Sequence, residues 1–488
     1  MAVAHPKIFS ALVIASLASG VLLLSAALPA AANPGLSASG TGTVMTQLTP
    51  LTVATTNQPE GVAVAGAITY VSNPPTHSVL KFDASGAYLG DIALPGGSPY
   101  PTSIVASTDG SHLFVTDGNT VGSVFSIVTA TDAVTAFPVV PAPGFIALSH
   151  DGSTFYVISN NDALVYAYAT SNGGPVASST SDSLYATGTG VMASPDGTKV
   201  YETMRDGVGA HTTGGIRILN AADLSEIGHT DLLNATGIAG SVDGSKIWVG
   251  STDAASQSVV AEFDAGGTFT GRSAAVGQSP SALLRSTDGL WLYVAGFSGD
   301  TLDVIDTRDF SDFRDTANPL VIGPTQLALS ADGLRLYGAD RNSGKTQVIS
   351  IAKLTLTSPA SVAPGTGPTT FSAQITDGGA TLADYTTNTV KFDILDSSNA
   401  VVATGTVAPN SSGAASASID LSGLPVGTYS VRATLDPIAG SVVVTAAGFK
   451  VSAATLAATG IEPIVPTLVG LLLLLGGSAA LLARRRMV

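Results

Sequence analysis

Residues 280–306 read PSALLRSTDGLWLYVAGFSGDTLDVID, and this stretch decides the fold. Positions 281–285, 291–295 and 301–306 are short runs rich in Val, Leu, Ile and aromatic residues, with Gly, Asp, Ser and Thr between them. Such runs predict strands. Ser286-Thr287-Asp288-Gly289 between the first two is a hairpin signal. Gly accepts a positive φ without steric cost, and Asp tolerates one. Outward from this unit the same turn recurs at Asp109-Gly110, Asp151-Gly152, Asp196-Gly197, Asp243-Gly244 and Asp332-Gly333. In every copy a Ser stands two residues before the Asp and an aromatic residue four after the Gly, and the Asp positions step by 42, 45, 47, 45 and 44. A degenerate copy, Ala65-Gly66 with Tyr70-Val71, lies 44 residues before Gly110 and Phe114-Val115. That makes seven units. A four-stranded unit of this length cannot bury its faces alone, whereas a ring of such units can. The expectation is an all-β chain with a seven-bladed β-propeller over residues 44–353. The alternating leader at 44–53 can supply the last blade with an outer strand and so hide an open edge.

Pro280-Ser281-Ala282-Leu283, the turn at 286–289, Leu292-Tyr293-Val294 and Leu302-Asp303-Val304-Ile305-Asp306 together resemble the YVTN family of propeller repeats, over about residues 58–352. The resemblance implies the propeller fold. It leaves function open, since YVTN and lactonase-like propellers include enzymes, binding proteins and surface-layer proteins.

From about Leu354 the period stops, and residues 354–453 hold further alternating strands. Leu424-Pro425-Val426-Gly427-Thr428-Tyr429 resembles the start of the penultimate strand of bacterial Ig-like domains. The resemblance implies an Ig-like β-sandwich with Tyr429 as a corner tyrosine bonded back to its turn. The expected role is a stalk.

The two ends read as targeting segments. Lys7, an apolar stretch at 8–28, Pro29 and Ala30-Ala31-Ala32 make residues 1–32 a secretory signal helix, followed by a linker at 33–43. Near the other end Leu456-Ala457-Ala458-Thr459-Gly460 sits in a linker at 454–463. An apolar stretch at 464–483 follows, then a tail at 484–488 containing Arg484-Arg485-Arg486. Twenty residues at about 1.5 Å rise span a bilayer core as a transmembrane helix, and the arginines hold the cytoplasmic side. Motif, span and arginines resemble an LPxTG-type sorting signal in its LAxTG variant. The resemblance implies that a sortase cuts between Thr459 and Gly460 and joins Thr459 to peptidoglycan. Localisation would then be the cell wall of a Gram-positive bacterium, with the C-terminal helix holding the precursor in the membrane.

Composition narrows the function classes. Charged residues are 11% of 488, against a usual ~25%. Net charge is −15, which disfavours nucleic acid and anionic surfaces as partners. Zero cysteine removes disulfides, thiolate nucleophiles and Cys-based metal sites. No G-x-S-x-G, Walker A, dinucleotide or H-E-x-x-H motif occurs, so no catalytic residue is assigned. The loop after the second strand carries Asp117, Asp162, Asp206, Asp253, Asp300 or Asp340 in six of the seven units. Asp117, Asp206, Asp300 and Asp340 are candidate Ca²⁺ ligands, since a hard cation prefers carboxylate oxygens. The bland alternative is that Asp favours turns and stays solvated. The first expectation for function is an exported, wall-anchored protein whose propeller binds a protein or glycan. A metal-dependent lactonase-like hydrolase and a purely structural surface protein are the alternatives.

Overall fold

The computed structural model describes residues 45–451 except 54–56, 120–121, 140–141, 181–184, 208–213, 254, 300, 311, 313–324, 380–381, 399 and 437–442. The signal segment 1–32, the linker 33–43, the sorting motif at 456–460, the span 464–483 and the basic tail lie outside the described residues. Among the described residues the chain is almost entirely β, without an α-helix. No helix among them is long and apolar enough to cross a membrane.

Small antiparallel sheets follow one another from the start of the described chain to residue 357. Five have four strands in sequence order. The second, for example, runs Pro101–Ala106, His112–Asp117, Ser123–Val128 and Ala133–Pro138. A sixth shows Pro280–Arg285, Trp291–Gly296 and Thr301–Asp306. The seventh holds Gln326–Leu329, Arg335–Asp340 and the first half of Lys345–Thr357. The seven inner strands touch one another in cyclic order, and Gln326–Leu329 returns to Gly61–Ala65 of the first sheet. Such a ring of blades is a β-propeller.

The ring is closed by the start of the described chain. Met45–Gln47 pairs antiparallel with Lys345–Thr357, Met45 opposite Ile351 and Gln47 opposite Ile349. It thus supplies the outer strand of the seventh blade. Leu51 continues the pairing at Thr346, and Met45 and Leu51 are buried. Burial of each such side chain contributes about 1.5–3 kcal/mol.

Two local devices repeat. In each Ser-x-Asp-Gly turn the Asp carboxylate accepts the Ser hydroxyl and a backbone N–H. For Asp109 these bonds come from Ser107 Oγ at 2.6 Å and Ser111 N at 3.0 Å. The turn glycines, from Gly110 to Gly333, have φ between +66° and +76°, and Gly66 of the degenerate copy has +60°. The second device crosses the seams between blades, where hydroxyls donate to backbone carbonyls of the next blade. Ser72 bonds Thr102 O at 2.6 Å, Thr116 bonds Gly144 O at 2.8 Å, Thr189 bonds Ala235 O at 2.8 Å and Thr236 bonds Pro280 O at 2.6 Å. Thr325 of the seventh blade donates to Glu60 O of the first.

Lys345–Thr357 does not stop at the ring. Its second half pairs with Thr369–Asp377, which pairs with Ala414–Ile419. A second sheet holds Ser361–Val362, Val443–Val451, Gly427–Asp436, Thr389–Leu395 and Val401–Val407. Leu354, Phe371, Phe392, Val431 and Phe449 fill the single core between the two sheets. Tyr429 donates its hydroxyl to Pro425 O at 2.9 Å, four residues back. The sandwich touches the ring on the side of the Asp-Gly turns. Arg335 donates to Gly378 O, and Lys353 Nζ donates to Asp332 O at 2.9 Å.

Two tests follow from these devices. Thr116 is fully buried; its hydroxyl donates to Gly144 O and accepts from Ser103 N at 3.0 Å. Thr116→Val leaves both backbone groups unpaired and should cost about 1–3 kcal/mol, read as a lower urea midpoint at unchanged slope. The Asp-Gly turns govern acid stability. Their serine hydroxyls, then backbone N–H groups, hold the carboxyls of Asp109, Asp151, Asp196 and Asp243 at about 2, below the ordinary 3.8. A lowered folded pKa contributes stability above the unfolded value, lost as pH falls through the folded one. The melting temperature should therefore drop between pH 4 and pH 2, and Asp243→Asn should make that drop shallower.

Candidate functional site

Each blade's Asp-Gly turn lies on one face of the ring, and the loop after its second strand lies on the other. The Asp residues expected to ring that loop face are placed as follows. Asp117 accepts Tyr100 N at 2.7 Å and Asn119 N at 3.2 Å. Asp162 accepts Leu164 N at 3.2 Å and the Tyr166 hydroxyl at 2.7 Å. Asp253 accepts Ala255 N and Gln257 N at 2.9 and 2.8 Å. Asp340 accepts Ser343 N, the Ser343 hydroxyl and Gln347 Nε2. Each carboxylate is thus turned onto its own blade's loop or strand start. Asp300 and the Asp206 side chain lie outside the described residues. Among the described residues no three His, Asp or Glu side chains converge on one point that could hold a metal. The expected calcium set is therefore not assembled from Asp117 and Asp340. A short loop presents its own N–H groups to a carboxylate before the next blade's acid can reach it.

What the loop face does assemble is a charged cluster across the closure seam. Glu60 precedes the inner strand of the first blade and is 9% exposed. Its carboxylate meets Arg341 of the seventh blade at 2.9 Å and accepts the Tyr100 hydroxyl at 3.2 Å. Tyr100 precedes the second blade's inner strand, so three blades contribute. Burial raises the Glu60 carboxyl above its ordinary 4.5, while Arg341 and the Tyr100 hydroxyl pull it back. The Arg341 side chain is 46% exposed and presents its guanidinium to solvent. Beside the cluster Gln326 reaches from the seventh blade to the second, donating to Ile104 O at 2.8 Å and accepting Ile104 N at 3.2 Å. Gly61 sits under this bridge. A methyl group there would strike the Thr102 carbonyl and the Gln326 side chain, so only glycine fits.

Sequence reasoning passed over Glu60 because it belongs to no repeat. The available signal was rarity: only five glutamates occur in 488 residues. Two others are buried in the seams. Glu262 accepts Trp248 Nε1 at 3.1 Å and pairs with Arg272 at 3.2 Å, and Arg272 lies 5.0 Å over the Phe310 ring of the next blade. Glu202 pairs with Arg217 at 3.2 Å, and burial pushes its carboxyl well above the ordinary range. Both pairs tie strands together; neither faces an opening.

A recognition surface is what the Glu60–Tyr100–Arg341 arrangement supports chemically. It offers an exposed bidentate donor fixed by a buried carboxylate.

No family model matches the chain, and no curated protein matches it. Solved structures do. A chain of the Kuenenia stuttgartiensis hydrazine synthase is similar at a TM-score of 0.50 and 19% identity, covering 61% of this chain and 97% of that one. A chain of the crystal structure of the mitotic checkpoint complex is similar at a TM-score of 0.52 and 15% identity, covering 65% and 94%. At such identities the likeness concerns the fold alone, and it agrees with the ring of four-stranded sheets.

Removing the guanidinium should expose the linkage in the cluster. Arg341→Ala leaves the Glu60 carboxylate buried with only Tyr100, raising its pKa further. Because Arg341 is half exposed, the cost at pH 7 should be only about 0.5–1 kcal/mol. A raised carboxyl pKa costs stability above the unfolded value and nothing below it. The loss should therefore vanish below pH 4, and Glu60→Gln should rescue it at pH 7, both read by urea unfolding.

Proposed function

We propose that the chain is an exported surface protein, held to peptidoglycan of a Gram-positive bacterium through residues 456–460, with the propeller as a binding or display module. The observation that carries this reading is the path of Lys345–Thr357. That single strand leaves the ring on the turn face and runs straight into the sandwich, on the way to the segment that bears Leu456, Ala457, Ala458, Thr459 and Gly460. The loop face, with Glu60, Tyr100 and Arg341, lies opposite that exit and is left open to a protein or glycan partner. The sandwich, with its Tyr429–Pro425 corner, reads as an Ig-like stalk. The blades read as YVTN repeats, whose Ser-x-Asp-Gly turns, aromatic anchors and spacing they carry. The loop acids Asp117, Asp162, Asp253 and Asp340 are occupied by local donors, which favours display over metal-assisted lactone hydrolysis.

Anchoring is tested directly. Thr459→Ala removes the residue that would form the acyl link to the wall. The expected outcome is a protein that detergent extracts fully, while the unaltered chain stays with boiled peptidoglycan. Equal retention of both would refute the sortase reading.

A further inference from the structure

The open edges of the sheets differ in how they are protected from pairing with another chain. An edge strand presents unpaired N–H and C=O groups, and charge, proline or short length keeps such an edge single. The described outer strands of the ring carry these devices. Tyr88–Ala93 holds Asp91, Ala133–Pro138 ends on Pro138, and Pro175–Ser178 opens on Pro175. Glu226–Asp231 has an acid at each end, Phe269–Ala275 holds Arg272, and Met45–Gln47 is three residues long. In the sandwich Ser361–Val362 has only two residues. Ala414–Ile419 is uncharged, but up to Ile419 it is built of Ala and Ser, without the β-branched residues that favour pairing.

Val401–Val407 has none of these devices. It reads Val-Val-Ala-Thr-Gly-Thr-Val, with five β-branched side chains in seven residues, no charge and no proline. One of its edges pairs with Thr389–Leu395, and among the described residues no strand pairs with the other. Val401 is 49% and Val402 41% exposed. Ala403 and Val407 face the sandwich core and are only partly covered there. Val402, Thr404 and Thr406 alternate with them onto the outer face. A short, uncharged, β-prone segment on an open edge is the pattern that recruits another strand.

Charge and symmetry select the strand it recruits. The chain carries a net charge of −15, so two copies repel over most of their surface. No charged residue occurs from Ser397 to Ile419, a stretch that contains this edge. Here two copies can touch without setting like charges against each other. The strand is also its own complement. Paired antiparallel about a two-fold axis at Thr404, it sets Val402 opposite Thr406 of the second copy and Thr404 opposite Thr404, and such β-branched and hydroxyl pairs stabilise a sheet.

We propose that the chain self-associates through Val401–Val407, which pairs antiparallel with the same strand of a second copy and joins two five-stranded sheets into one. The proposal stands apart from the loop-face cluster and from anchoring. Copies held on one surface would only raise the local concentration that favours it. A single pair of seven-residue strands makes a small interface, below the ~1,200 Å² of stable complexes, so the dimer is reversible. The test is sedimentation equilibrium of the purified full chain in mild detergent, which keeps the apolar stretch at 464–483 from associating. The mass should rise with concentration toward that of a dimer. Val402→Lys with Thr406→Lys sets lysine opposite lysine and should weaken association at least tenfold. Mixing that variant with Val402→Glu/Thr406→Glu should restore it. If the variants do not fold, hydrogen exchange of the unaltered chain reads the same edge: amides within 401–407 should exchange more slowly as concentration rises. A mass that stays monomeric at every concentration overturns the proposal and leaves the edge to a strand of another protein. So does a dimer that persists in the lysine variant, a mixture of oppositely charged variants that stays monomeric, or exchange at 401–407 that does not change with concentration.

Discussion

Each blade has two faces and an inner edge that only its neighbours can cover, so the stability of every blade depends on closing the ring. The seams meet that constraint in two ways of different size. Clusters such as Phe114, Phe137, Phe155 and Tyr168 between the second and third blades, or Leu51, Val71, Phe82 and Tyr337 between the seventh and first, remove large apolar side chains from water. At about 1.5–3 kcal/mol per side chain they dominate the energy. The seam hydroxyls of Ser72, Thr116, Thr189, Thr236 and Thr325 each add a net ~0.5–1.5 kcal/mol. Their weight lies in direction. Apolar faces can slide over one another, whereas a hydroxyl aimed at one carbonyl fixes the rotation between adjacent blades.

The same constraint explains what could be read from the sequence. A device that recurs seven times is visible as a period, and the Asp-Gly turns, the aromatic anchors and the strand runs were legible for that reason. Their chemistry is local: Ser107 and Ser111 bond Asp109 within five residues. The alternating leader was legible because an open edge demands a strand, and Met45–Gln47 fills that place against Ile349 and Ile351. Tyr429 was legible because its acceptor lies four residues away. Glu60 was not. Its partners Tyr100 and Arg341 lie 40 and 281 positions away, and only the closed ring brings the three together. The loop aspartates were legible as a recurrence, and those described cap their own loops. For Asp117, Asp162, Asp253 and Asp340 the local N–H groups lie closer than any acid of another blade.

Repetition also gives the exceptions their meaning. At the anchor position Tyr156 and Tyr201 donate their hydroxyls across the seam, and Trp248 donates to Glu262 of its own blade. Phe114 shares the apolar body and lacks a polar end. The cost to folding is small, because burial of the ring contributes most of the energy. The seam between the second and third blades thus lacks the hydroxyl bond that the next two seams have.

The strand Lys345–Thr357 joins these themes. Within the ring it is held on one side by Arg335–Asp340 and on the other by Met45–Gln47. Beyond Ala352 it is held by Thr369–Asp377. Ser350, in the ring half, also donates to Asp377 of the sandwich, and Asp377 accepts Tyr385 OH at 2.6 Å. Under the anchoring proposed here, a pull on the stalk would run along this strand and load its flanking hydrogen bonds in shear, together, instead of opening them one at a time. The strand that closes the propeller is thus also the strand that carries it. A hinge between ring and sandwich would need that pairing broken on both sides, which argues for a propeller presented in one orientation with its loop face outward.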